Sequence, residues 1–196
     1  RPLKAAQCWK NASSRQAAMT LTQLIHLRCG RTPSLVPLAS SGRISGTSFG
    51  LSCYLAARAA VLDLAADTVL ATGAVDTAGN VLAVENIPAK AQLADRLFLY
   101  PAACPSLVLP LAVGVTTVDE AEAVLRWAAS PHEAGRLITL ERLLSGAPSH
   151  TSLAGELVRI PEALIPWVRH HQERIAQRLA TDPDLCVLVI ALPQVP

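Results

Sequence analysis

Leu51, Leu55, Ala59 and Leu62 recur at three- to four-residue intervals, within an Ala- and Leu-rich run over residues 48–64. That spacing predicts a helix. The period then shortens. Residues 68–72 form a β-type run, and Asp76-Thr77-Ala78-Gly79-Asn80 has hairpin-turn chemistry ahead of a returning strand at Val81-Leu82-Ala83-Val84. Pro88 suits the first turn of a helix over residues 88–94, where the amide that proline lacks has no helical partner. The apolar run 97–100 predicts a strand that stops at Pro101, and a further strand is expected near residues 114–116. Val118-Asp119-Glu120 opens a predicted helix to about residue 129, with its carboxylates at the positive end of the helix dipole.

The flanks are less regular. Residues 13–27 fit one helix, or a helix that passes into a strand at residues 24–27. Leu35-Val36-Pro37 reads as a strand end, and residues 39–46 as a Ser/Gly loop. Residues 131–160 hold His132, Gly135, Gly146, Pro148 and Gly155 among short apolar pieces, which reads as a linker or small subdomain. Residues 165–180 predict one amphipathic helix, with Trp167, Val168, Ile175 and Leu179 facing inward and Arg169, Gln172, Glu173 and Arg178 facing water. Residues 185–192 read as a strand. The whole is of α+β class. A domain with a mixed β-sheet and packed helices is expected over residues 1–130, followed by a C-terminal α/β extension over residues 131–196 of no assigned role.

Composition narrows the function classes. With 196 residues and 51% hydrophobic content the chain can bury a substantial core, and with aromatics at 4% that core must be mainly Ala, Leu and Val. The net charge of +2 and the lack of a Lys/Arg cluster argue against nucleic acid as a partner. Charged residues at only 16% predict some apolar surface covered by a partner or a further domain. No apolar run reaches the roughly 18–20 residues of a membrane helix. No secretory leader is read, and a cytoplasmic chain is expected. The opening at Arg1 rather than Met is the expectation for a piece of a longer protein.

Cys8, Cys29, Cys53, Cys104 and Cys186 are scattered, with no C-x-x-C and no Cys/His cluster. They are expected to be reduced thiols, Cys53 and Cys186 as small core residues, and no metal site is expected. Trp127 and Trp167 are expected as core or interface anchors. His170-His171 is expected on a solvated helix edge, because adjacent residues do not share a helix face. Asp182-Pro183-Asp184 reads as a turn.

The candidate chemistry lies in Gly46-Thr47-Ser48-Phe49-Gly50 and in Lys90. A serine hydroxyl is a weak nucleophile until a base takes its proton. Lysine serves only as the free amine, a form favoured by apolar surroundings and by the positive end of a helix. Lys90 has the apolar neighbours Ile87, Pro88, Ala89, Ala91 and Leu93, and sits in the first turn of its predicted helix. Thr72, at a strand end, is placed to hydrogen-bond the lysine amine. Gly46, Thr47 and Phe49 frame Ser48, where backbone N–H groups at a helix start are available to an oxyanion. The structural alternative for Ser48 is a helix N-cap, which serine fills readily.

From residue 35 to residue 129 the order of segments resembles the proteolytic domain of the Lon protease family. The matching pieces are Val36-Pro37, the Gly46 to Gly50 motif, Thr72-Gly73, the turn at Gly79-Asn80, Val81-Leu82-Ala83-Val84, Lys90, the strand at 97–100 and Val118-Asp119-Glu120-Ala121. The resemblance implies a serine endopeptidase that hydrolyses peptide bonds through an acyl-enzyme, with Ser48 as nucleophile, Lys90 as general base and Thr72 supporting the lysine. It also implies a polypeptide substrate and a hexameric ring. The chain has no G-x-x-x-x-G-K-[ST] motif, so no cofactor is expected in it, and ATP would enter only through a separate ATPase or unfoldase.

The chain departs from the family at Ser45, Thr47, Phe49 and the pair Glu85-Asn86, where the family has an acidic residue, a proline, a small residue and two glycines. Phe49 predicts a narrower cleft beside the nucleophile, and Glu85 predicts a shifted loop or an added charge near Lys90. The alternative reading is therefore a Lon-like binding or regulatory module without turnover. A more distant alternative is a small-molecule kinase of the GHMP type, whose Gly/Ser-rich loop also opens a helix.

Overall fold

The computed structural model describes Trp9 and residues 11–30, 46–65, 68–104, 111–146, 153–158, 160 and 162–181. The expected strands at residues 35–37 and 185–192, most of the 39–46 loop, Ser45, Cys8, Cys186 and the 182–184 turn lie outside those residues.

Helix α1 spans Ala12–Cys29, which resolves the helix-or-strand alternative for this segment in favour of one helix. Its start is closed by a capping box. Asn11 Oδ1 accepts from the Ser14 amide at 2.9 Å, and Ser14 Oγ accepts from the Asn11 amide at 3.3 Å. Helix α2 spans Gly50–Leu62 and buries Leu51, Tyr54, Leu55 and Ala59 against α1 and the sheet. It starts at Gly50 rather than Ser48.

Strand β1 (Val69–Ala71) leads through Thr72-Gly73 into the hairpin β2 (Ala74–Val75) and β3 (Val81–Leu82). Asp76 closes that turn, accepting from the Asn80 amide and the Asn80 side chain at 2.8 Å each. Helix α3 (Ile87–Ala91) follows, then β4 (Leu97–Pro101) and β5 (Ala112–Val115). Strands β1, β4 and β5 form a parallel sheet in the order β1-β4-β5. Every residue of the central β4 is buried, as a strand covered on both faces requires. That burial is why its sequence is an unbroken apolar run.

Helix α4 (Val118–Ala128) is capped by Thr117, whose Oγ1 accepts from the Glu120 amide at 3.2 Å. The fold is thus mixed α and β.

For the later residues, the linker alternative for 131–160 and the single helix over 165–180 do not hold. The 131–160 segment is not irregular linker where it is described: helix α5 spans Pro131–Leu144 and α6 spans Leu153–Val158. Leu137, Leu140 and Leu144 supply the buried stripe of α5, and Gly135 sits on its exposed side, where glycine costs only propensity. Residues 165–180 are two helices, α7 (Ile165–His170) and α8 (Gln172–Ala180), with a short 3-10 turn at Glu162–Leu164 before them. The break falls at His171, which is 2% exposed rather than on a wet edge. There Trp167 Nε1 donates to Glu141 Oε1 at 3.1 Å, and His171 Nε2 lies 3.4 Å from the same oxygen. Turning the chain at His171 carries that ring to the buried carboxylate of α5.

One cluster of buried residues runs from Leu21 through α2, the sheet and α4 to Leu140, Trp167 and Ile175. Trp127 and Trp167 are buried in it. Cys53 packs half-buried against it, and burial pushes its thiol up. A smaller cluster of Ile87, Ala91, Phe98, Tyr100 and Ala112 fixes α3 on the other face of the sheet. No helix among the described residues is long and apolar enough to cross a membrane.

Candidate active site

The loop between β1 and β2 is the centre of the site. Gly50 has no Cβ, and one added there would lie 3.1 Å from the Val75 nitrogen and 3.2 Å from the Gly73 oxygen. Glycine therefore lets the first turn of α2 approach the 73–75 backbone closely. Leu51 N donates to the Gly73 carbonyl at 2.9 Å, and Gly73 N donates to the Ser48 carbonyl at 3.0 Å. These bonds fix the residues before α2 on the end of β1.

Ser48 lies in a turn closed by Gly50 N donating to the Thr47 carbonyl at 3.2 Å. It is not the helix cap: that position belongs to Phe49, which makes no side-chain cap bond. Leu51 N–H is occupied by Gly73, whereas no hydrogen bond among the described residues engages the Ser48 or Phe49 N–H. Gly46 is exposed with φ +82, and Thr47 is half-buried.

Thr72 is 5% exposed and connects the two chemical groups. Lys90 Nζ donates to Thr72 Oγ1 at 3.3 Å, and Thr72 Oγ1 donates to the Ser48 carbonyl at 3.3 Å. A hydroxyl can do both, having one donor and two acceptor lone pairs. Lys90 Nζ also donates to the Glu85 carbonyl at 3.2 Å. Among the described residues no hydrogen bond joins Ser48 Oγ directly to Lys90 Nζ. Ser48, Thr72 and Lys90 are thus brought together with the threonine in the middle.

Lys90 reaches this position from a helix shorter than expected. Helix α3 has five residues, with Lys90 next to its last, so the helix-dipole argument for this lysine does not apply. The helix enters from Asn86, whose φ of +60 is left-handed. Asparagine tolerates that conformation better than other side-chain-bearing residues, so the Glu85-Asn86 pair can still make a glycine-like turn. Glu85 presents its main-chain carbonyl to Lys90 Nζ, and no ion pair joins their side chains. Of the two effects expected of Glu85, the added charge makes no direct contact with the lysine.

Phe49 does not stand alone beside the nucleophile. Its ring stacks on Trp9 with centroids 5.0 Å apart and planes 28° from parallel. Sequence reasoning missed Trp9, because a lone aromatic in an unpatterned stretch carries no signal of its partner. It missed Asn86 as the left-handed residue too, although an Asn before a helix starting with Ile-Pro is a usable clue.

Other polar groups form structural ties. Arg58 reaches Glu122 with Nε at 2.6 Å and Nη2 at 2.7 Å, and Arg126 meets the same carboxylate at 2.7 Å. Burial pushes the Glu122 carboxyl up, but the bonds from Arg58 and Arg126 outweigh it and hold it below the ordinary range. A cavity of about 370 Å³ between α4 and α7 is lined by Asp119, Glu120, Glu162 and Arg169 among others, and does not include Ser48, Thr72 or Lys90. No group of three or more His, Cys, Asp or Glu side chains suited to a metal ion occurs among the described residues.

No protein-family model matches the chain, and no curated protein matches it.

Proposed function

We propose that the chain is a Lon-like serine endopeptidase with Ser48 as nucleophile and Lys90 as general base. The observation that carries the reading is Thr72, hydrogen-bonded on one side to Lys90 Nζ and on the other to the Ser48 main chain. In the proposed reaction the free Lys90 amine takes the Ser48 proton while Oγ attacks the peptide carbonyl. The Ser48 and Phe49 N–H groups face the oxyanion. The tetrahedral intermediate collapses as the lysine returns its proton to the leaving amine. Water, deprotonated by Lys90, then hydrolyses the ester and restores the serine.

A polypeptide substrate, a ring of subunits, an ATPase or unfoldase carried elsewhere and a cytoplasmic location belong to the same proposal. A second reading, a module that binds without turnover, draws on the lack of a direct Ser48 Oγ to Lys90 Nζ hydrogen bond. Catalytic hydrogen bonds often tighten only in the substrate complex, so this does not outweigh the Thr72 link.

A peptide boronate separates the two. The peptidase reading expects a tetrahedral adduct on Ser48 Oγ by mass mapping, lost in Ser48→Ala. Boronate that binds without an adduct at Ser48 supports the module.

A further inference from the structure

Ser48 is held from the sheet side by two bonds to its carbonyl, from Thr72 Oγ1 and Gly73 N. The next residue, Phe49, is the start of α2, with φ −81 and ψ −11. Those dihedrals are helical rather than the extended ones a side-chain cap uses, so no side-chain oxygen closes the first turn. Phenylalanine has no such oxygen. Its carbonyl accepts from Ser52 Oγ at 2.8 Å, and its ring leaves the turn to stack on Trp9. The 5.0 Å centroid separation lies within the favourable range for an offset aromatic pair.

The nucleophile is therefore bracketed. Any displacement of the Ser48–Phe49 backbone, which carries Oγ with it, must either break the Thr72 and Gly73 bonds or drag the Phe49 ring off Trp9. We propose that Trp9 is a positioning residue for Ser48, acting through the Phe49 ring. The proposal rests on the reading of Ser48 as nucleophile. It also gives a role to the aromatic residue beside the serine: the ring anchors the turn to a distant segment, in place of a side-chain cap.

The test is the second-order rate of fluorophosphonate capture at Ser48, in which Oγ displaces fluoride from phosphorus, read by mass mapping. Trp9→Ala is expected to slow capture about two- to tenfold, the effect of losing one stacked pair. Trp9→Phe keeps a ring and should recover most of the rate. The pH at which the rate is half-maximal should not move, because the stack acts on geometry. On a Phe49→Ala background the Trp9→Ala change should add nothing, since the intermediary is already gone.

Capture at the wild-type rate in Trp9→Ala, or equal slowing on the Phe49→Ala background, overturns the role of Trp9 and leaves the serine-lysine reading intact. Capture in Lys90→Met at the wild-type rate, or none in the wild type, overturns that reading and this inference with it. If Trp9→Ala does not fold, Trp9→Leu, which keeps apolar bulk without a ring, decides by the same comparison.

Discussion

Replacing Thr72 by Val removes one oxygen at the point where the site is joined. Two hydrogen bonds go with it: Lys90 Nζ to Thr72 Oγ1 and Thr72 Oγ1 to the Ser48 carbonyl, each 3.3 Å. Neither partner is orphaned, because the Ser48 carbonyl keeps the Gly73 amide at 3.0 Å and Lys90 Nζ keeps the Glu85 carbonyl at 3.2 Å. The cost in folding stability should therefore be small, about 1 kcal/mol. The cost falls on chemistry as well, because the lysine loses the contact that sets its direction. A hydrogen bond from the free amine is a neutral one, worth about 0.5–1.5 kcal/mol. Acylation should slow by about two- to tenfold. The assay is the rate of Ser48 modification by a fluorophosphonate, with urea unfolding measured on the same samples. Thr72→Ser restores the oxygen and should return most of the rate. Wild-type reactivity in Thr72→Val, with the fold intact, would refute the assignment of Thr72 as the link.

Arg58→Met leaves Glu122, with a side chain 12% exposed, to Arg126 and a long 3.5 Å bond from the Tyr54 hydroxyl, and should cost about 3 kcal/mol in chemical denaturation. The folded-state titration of Glu122 is depressed, so its contribution is present above the ordinary carboxylate range and lost as pH falls through the lower folded value. Acid unfolding of Arg58→Met should accordingly show a shallower loss of stability below about pH 5 than wild type. Gly50→Ala adds a Cβ 3.1–3.2 Å from backbone atoms of Val75 and Gly73. Strain of about 1–3 kcal/mol should exceed the roughly 1 kcal/mol gained in helix propensity, lowering both the thermal midpoint and Ser48 reactivity. Glu141 has the opposite sign to Glu122: burial raises its carboxyl, so its contribution weakens as pH rises from the ordinary carboxylate range through the raised folded value. Glu141→Gln keeps an acceptor for Trp167 and should remove that pH dependence, which stability curves at several pH values will read.

The parts of the fold legible in the sequence are those whose causes are local. The α2 stripe, the Asp76 to Asn80 turn and the buried run of β4 each follow from residues within one segment. The acidic first turn of α4 is equally local. What was hidden depends on contacts between distant residues. Helix α5 was obscured by Gly135 and Gly146, which read as breakers although Leu137, Leu140 and Leu144 carry the helix into the core. The break at His171 coincides with its approach to Glu141 on another helix, and nothing in the 165–180 pattern reports that contact. At the site, Ser48, Thr72 and Lys90 could be named from segment order, and the structure brings them together. Sequence could not tell that Phe49 would turn to Trp9, that Asn86 would take the left-handed turn, or that Glu85 would offer its carbonyl rather than its charge.

Lys90 is proposed to activate Ser48. The most direct measurement of this is the pH dependence of Ser48 acylation, in wild type and in Lys90→Met. Activation by Lys90 predicts a wild-type rate that climbs with pH, and no capture at Ser48 in Lys90→Met at any pH where the protein stays folded. Equal, pH-independent capture in both proteins would contradict it.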